Sequence, residues 1–237
     1  RLREARFGGR RKVRPRAETE ADVLVVGGGL VGGVLASALA GSGLAVAVVD
    51  TARAVPQVSG RKTESPRTDG RVSAIALTSQ RLLEGIGAWA ALGPFAQPIE
   101  HIRVAEAGTP YFLHYDAREV GGEPFGFMVE NRILRRELGR RISNLDGIAL
   151  FAPARIATLE RGPFGVEGRL ADGRRIRAML AVAADGAGSR TRGQAGIGTA
   201  RASYGQTAIV CTVRHERPDD HADHQDEGEW FRGCAAH

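Results

Sequence analysis

Gly27, Gly29 and Gly32 stand in the spacing G-x-G-x-x-G. Between a strand and a helix, that spacing is suited to meeting a dinucleotide pyrophosphate. Gly27 permits a tight turn, Gly29 lets the backbone approach a phosphate, and Gly32 lets helix and strand pack closely. The helix start that follows offers unpaired N–H groups and the positive end of its dipole to an anion. Asp50 lies about twenty residues on, where a carboxylate accepts hydrogen bonds from a ribose. A glycine-rich turn that holds no ligand is the competing reading, and the flanking elements decide between the two.

Those elements are legible. Residues 22–26 (DVLVV) form a short apolar run of the kind found in a parallel strand covered on both faces. Residues 30–40 are small and apolar, predict a helix, and end at Gly41-Ser42-Gly43. Residues 46–50 (VAVVD) predict a second buried strand, completing a strand–helix–strand crossover. Residues 51–70 contain Pro56, Gly60 and Pro66 and read as a long loop, and residues 78–86 read as a helix. Strands are predicted at 102–105, 111–114 and 127–130, and a strongly amphipathic helix at 132–142. Residues 154–161 and 164–170 alternate as a meander, and Asp172-Gly173 turns the chain into a strand at 174–178. A further buried strand is predicted at 180–184, ending in Asp185-Gly186, and a last one at 207–213.

Composition removes several function classes. The net charge of +6 is local: eight of the 33 basic residues and three acids fall in the first twenty positions. Beyond residue 20 there are 25 basic and 24 acidic residues, so the globular part is nearly neutral. The basic run has no interleaved aromatics, and nucleic acid is not expected as a partner. Residues 23–49 carry no charge but contain seven glycines, which suits a buried βαβ unit better than a membrane helix. Cys211 and Cys234 form no Cys-x-x-Cys pair and no secretory signal precedes them, so a reducing cytoplasm is the expected compartment. His221, His224, Cys234 and His237 have loosely zinc-like spacing, but their acidic surroundings read as a tail, and no metal site is expected.

The glycine motif alone does not separate FAD from NAD. The long loop and meander after the second strand favour FAD, which is longer when extended and needs a second contact region. The segments DVLVVGGGLVGGVLASALAGSGLAVAVVD, DGRVSAIALTSQRLLEGIGAW, FGFMVENRILRRELGRRI, VAADGAGSRTRGQAGI and YGQTAIVCTV follow one another between residues 22 and 213. In content and order they resemble the FAD-dependent aromatic-ring hydroxylases, and most closely the ubiquinone-biosynthesis hydroxylase family. The resemblance implies an α/β, Rossmann-like FAD-binding domain with an inserted β-meander. It implies that Gly27, Gly29, Gly32 and Asp50 hold the adenosine diphosphate half of FAD. It also implies that Arg71 and Arg132 contact the cofactor, and that Asp185 and Gly186 form an Asp-Gly motif near both FAD and NADPH.

The implied activity is an NAD(P)H-dependent monooxygenation of an aromatic, polyprenylated ubiquinone precursor. The flavin does the oxygen chemistry in such enzymes, so no catalytic protein nucleophile is expected. The implied location is cytoplasmic, with peripheral association at the inner membrane. Residues 1–20 read as a disordered basic tail, and residues 21–213 as the FAD-binding domain with the start of a substrate-facing sheet. Residues 214–237 read as an atypical acidic tail. Beyond 213 the family pattern fails, so the chain reads as an N-terminal part with an incomplete flavin site. A non-catalytic nucleotide-binding remnant and another FAD-dependent oxidoreductase are the alternatives.

Overall fold

A computed structural model describes residues 14–53, 71–105, 110–203 and 205. The strand expected at 207–213, the acidic tail with its histidines, residues 54–70 of the long loop and the first thirteen residues lie outside the described residues.

The chain opens with β1 (Glu18–Val26), α1 (Leu30–Gly41) and β2 (Val46–Val49). Next come β3 (Val72–Ala76), α2 (Leu77–Gly85), α3 (Trp89–Leu92), β4 (Gln97–Ile99), β5 (His101–Ala105), β6 (Phe112–Asp116) and β7 (Gly126–Glu130). The last group is α4 (Asn131–Asn144), β8 (Ile148–Phe151), β9 (Ile156–Gly162), β10 (Gly165–Leu170), β11 (Arg175–Ala183) and α5 (Arg190–Gln194).

The largest sheet has the order β8-β2-β1-β11-β10-β9. Its first four strands are parallel, and β10 and β9 add antiparallel. All four residues of β2 are buried, as a Val-rich strand between two covered faces must be. One face packs Val23, Val25, Val46 and Val48 against Ala36 of α1 and Ile142 of α4. The other face buries Leu24, Val26, Val49 and Phe151 with Leu170 and Ile176, and it is closed by Ile156 and Leu159 of the meander. Helices therefore cover one face of a doubly wound arrangement, and the meander takes the place of helices on the other. A smaller sheet, β3-β7-β4, and a two-stranded ribbon, β5-β6, stand apart from the main sheet.

Four expectations need correction. The first strand begins at Glu18, within the stretch read as a tail: Thr19 is buried, Thr19 pairs with Ile176, and Glu18 bonds Arg175 at 2.9 Å. The strands read at 174–178 and 180–184 are one strand, β11, because β1 pairs with it in one register on both sides of Met179. Its second half is not buried; Met179 and Leu180 lie exposed past the point where β10 stops pairing. β8 was not foreseen: a four-residue run declares little locally, and it is stabilised by pairing with β2 a hundred residues earlier. No helix among the described residues is long and apolar enough to cross a membrane.

Candidate cofactor-binding site

The carboxyl ends of β1, β2 and β11 carry the three features that the sequence singled out. In an open α/β sheet this edge is where ligands bind. After Val26 the chain must reverse sharply into α1. Gly27 has φ +104°, a backbone that residues with a Cβ rarely adopt, and a Cβ there would overlap the carbonyl of Ala184. A Cβ at Gly32 would overlap the carbonyl oxygen of Gly27. Gly27 and Gly32 therefore bring the first turn of α1 down onto the strand end. Gly29 differs, since nothing lies within 4 Å of the position a Cβ would take. It is the N-cap of α1, which opens with no side-chain cap and no acidic residue in its first turn. A helix start with spare N–H groups, a positive dipole end and open space in front suits an anion.

Asp50 follows β2 directly. Its Oδ2 accepts from Gly28 N at 2.5 Å and its Oδ1 accepts from Ala52 N at 2.7 Å. The carboxylate thus reaches the glycine turn, and it binds the backbone there.

The turn after β11 is interlocked with the first. Ala184 N donates to Val26 O at 2.7 Å, and the Ala184 carbonyl fills the space beside Gly27. Asp185 then turns inward. Ser189 Oγ donates to its Oδ1 at 2.5 Å, and Thr191 donates to its Oδ2 from N at 3.1 Å and from Oγ1 at 3.0 Å. Burial pushes this carboxyl up, but those hydrogen bonds outweigh burial and hold it below the usual aspartate range. Ser189 Oγ in turn accepts from Arg192 N at 3.0 Å, capping α5. Gly186 has φ +83° and open space around it.

Arg71 and Arg132 meet at a different corner. Asn131 N donates to Arg71 O at 3.0 Å, so Arg71, just before β3, stands beside the start of α4. The Arg132 guanidinium forms an ion pair with Glu130, and the hydrogen bond between them holds the Glu130 carboxyl below its usual range. This corner is tied to the glycine turn through helix packing: Leu30 and Val34 of α1 pack with Ile133, Leu134 and Leu138 of α4. The structure brings Gly27, Gly29, Gly32, Asp50, Asp185 and Gly186 to one edge, with the two arginines on the α4 side of it.

Residues 20–234 match the model of a family described as the FAD binding domain. The chain belongs to that family. A ubiquinone hydroxylase, UbiL, from Rhodospirillum rubrum is 50% identical over 222 residues, covering 92% of this chain and 47% of that protein. The 3-demethoxyubiquinol 3-hydroxylase of Escherichia coli is 35% identical over 196 residues, covering 82% of this chain and 49% of that protein. Among solved structures, PqsL from Pseudomonas aeruginosa, described as "a probable FAD-dependent monooxygenase", superposes with a TM-score of 0.65 at 23% identity. That likeness covers 79% of this chain and 49% of PqsL, and it bears on the fold. The chain spans about half the length of the curated relatives it matches.

Several residues of this FAD-binding domain escaped the sequence reading. Gly28 supplies the N–H that engages Asp50, and Ala184 supplies the backbone against which Gly27 packs. Ser189 and Thr191 consume the carboxylate of Asp185, so this side chain shapes its own turn. Only Ser189 left a signal, as a polar N-cap candidate before a short helix. Of the three motif glycines, Gly29 alone has free space in front of it, at the start of α1.

Proposed function

We propose that the protein is an FAD- and NAD(P)H-dependent monooxygenase that hydroxylates the aromatic ring of a ubiquinone precursor. In that enzyme these residues form the adenosine diphosphate half of the cofactor site. The observation that carries the reading is the interlocked turn of Gly27 and Gly32 in front of an uncapped α1. It is supported by a family match over most of the chain and by relatives named as ubiquinone hydroxylases.

FAD, when bound, supplies the oxygen-transferring chemistry. The chain's own residues position it. The first turn of α1 offers N–H groups to the pyrophosphate, with Gly29 leaving room for the approach. Asp50 keeps lone pairs free on both oxygens after its two backbone bonds, and these accept from a ribose hydroxyl. Gly186 leaves the second turn open beside the first. Arg71 and Arg132 act as positive charge at the α4 corner. NADPH is the inferred reductant, and the inferred substrate is a prenylated phenol met at a membrane surface, which makes the association peripheral.

The test has two stages. Residues 1–237 are purified, mixed with FAD, desalted, and their visible spectrum recorded. The same residues are then joined to the complementary half of the R. rubrum relative and supplied with NADPH and 3-demethoxyubiquinol. Partial flavin retention in the first stage and substrate-dependent NADPH oxidation with a hydroxylated product in the second are expected. Flavin retention with no hydroxylation by the joined protein would favour a nucleotide-binding subunit instead.

A further inference from the structure

Asp50, at the exit of β2, is more tightly committed than binding a ribose requires. Asp50 Oδ2 accepts the Gly28 N–H at 2.5 Å, and Asp50 Oδ1 accepts the Ala52 N–H at 2.7 Å. Ala154 N donates to the Asp50 carbonyl at 2.7 Å, and Asp50 N donates to Phe151 O at 3.0 Å, so the residue is fixed at its backbone as well. A Cβ at Gly28 would lie 3.3 Å from Asp50 Cβ, Asp50 Oδ2 and Val48 Cγ1, which puts the Gly28 peptide hard against the end of β2. The Gly28 N–H is therefore turned inward and is spent on Asp50. It is not a phosphate donor in this arrangement, and the donors left for a pyrophosphate are those further along the turn and in α1.

We propose that Asp50 is a positioning residue for the glycine turn. Its carboxylate pulls the Gly28 peptide toward β2, and this sets the path by which Gly29 and the first turn of α1 face the cofactor. The inference rests on the FAD reading above and deepens it. Contact with a ribose would be a second use of the same carboxylate, through its remaining lone pairs. The two uses separate cleanly. A ribose contact needs a ribose hydroxyl on the ligand, whereas a held turn helps any ligand that carries the pyrophosphate.

The experiment compares wild type, Asp50→Ala and Asp50→Asn in residues 1–237. Dissociation constants are measured by calorimetry for ADP and for 2′,3′-dideoxyadenosine 5′-diphosphate, which lacks both ribose hydroxyls. Hydrogen exchange of the Gly28 amide is followed by NMR in the ligand-free proteins, with thermal unfolding as a check on folding. Loss of a hydrogen bond to a charged acceptor predicts about tenfold weaker binding of both nucleotides by Asp50→Ala, and about tenfold faster Gly28 exchange. Asn keeps one carbonyl oxygen for Gly28 and cannot accept from Ala52. Asp50→Asn should restore most of the Gly28 protection and of the dideoxy nucleotide affinity. A merely structural role would give no such rescue.

The proposal fails if Asp50→Ala binds the dideoxy nucleotide as tightly as wild type while losing ADP, because Asp50 would then act through the ribose alone. It also fails if Gly28 exchanges equally fast in wild type and Asp50→Ala. If the wild type binds neither nucleotide but its Gly28 amide is protected and that of Asp50→Ala is not, the FAD reading of this chain falls and the hold on the turn stands.

Discussion

Two turns leave adjacent parallel strands at the same edge, and they are built by opposite means. The turn after β1 has no side chains of its own. Its shape follows from missing Cβ atoms at Gly27 and Gly32, which let backbone meet backbone. The turn after β11 is shaped by side chains: Asp185 gathers Ser189 and Thr191, and Ser189 caps α5. The first leaves N–H groups and space for a ligand. The second satisfies its own polar groups. A turn that leaves the first donors of its helix unspent can meet an anion, whereas a turn that supports a neighbour can use them internally.

The contrast is broken most severely at the first turn. Gly32→Ala and Gly27→Ala each place a methyl into a backbone carbonyl that has nowhere to go, and Gly27→Ala adds a disfavoured φ. Overpacking of this kind is expected to destabilise by about 3 kcal/mol or more, read by urea unfolding. The second turn should yield less. Asp185→Ala leaves the Ser189 and Thr191 donors without their acceptor, at a cost of about 1–2 kcal/mol in a half-exposed loop. Unfolding of that variant within error of wild type would show that the carboxylate does not organise the turn.

The acid response of the second turn follows from the same bonds. The Asp185 carboxyl is depressed in the folded state, so its contribution is fully present above the ordinary aspartate range. It is lost as pH falls through the depressed value, below 3.8. Carboxyl-carbon NMR titration should place the Asp185 midpoint below that of an ordinary aspartate, and Ser189→Ala should raise it. Ser189→Ala is also expected to cost about 1 kcal/mol as a lost N-cap. The smallest effect sharpens the comparison most. Gly29→Ala has open space and an ordinary φ of −67°, so folding should change by less than about 0.5 kcal/mol. FAD retention should nevertheless fall, because the added methyl stands where the pyrophosphate approaches.

What could be read from the sequence was local. The run from residue 22 to 50 declared its strand, turn, helix and strand through valines, glycines and a terminal acid, and each took its expected place. Helix α4 was declared by its period. What escaped depended on partners distant in the chain. β3 (VSAIA) pairs with β7, and β8 (IALF) pairs with β2, and neither short run states its partner. The break expected near Met179 did not end the strand, because β1 pairs with β11 in the same register before and after it. At the site, the residue types were legible but their allegiances were not. Asp50 was read at the end of β2 and Asp185 at the end of the strand now seen as β11, and only coordinates show that both carboxylates already hold backbone or hydroxyl donors.

The contact between Gly27 and Gly32 limits how this chain can vary. The atom facing each missing methyl belongs to the main chain, which every amino acid carries. A substitution at either position cannot be relieved by trimming a neighbouring side chain, since the nearest obstruction in each case is backbone. In a genetic screen, loss of either glycine should therefore yield true revertants and almost no second-site suppressors. Asp185 should behave differently, because its partners are replaceable side chains, and its loss leaves room for compensation.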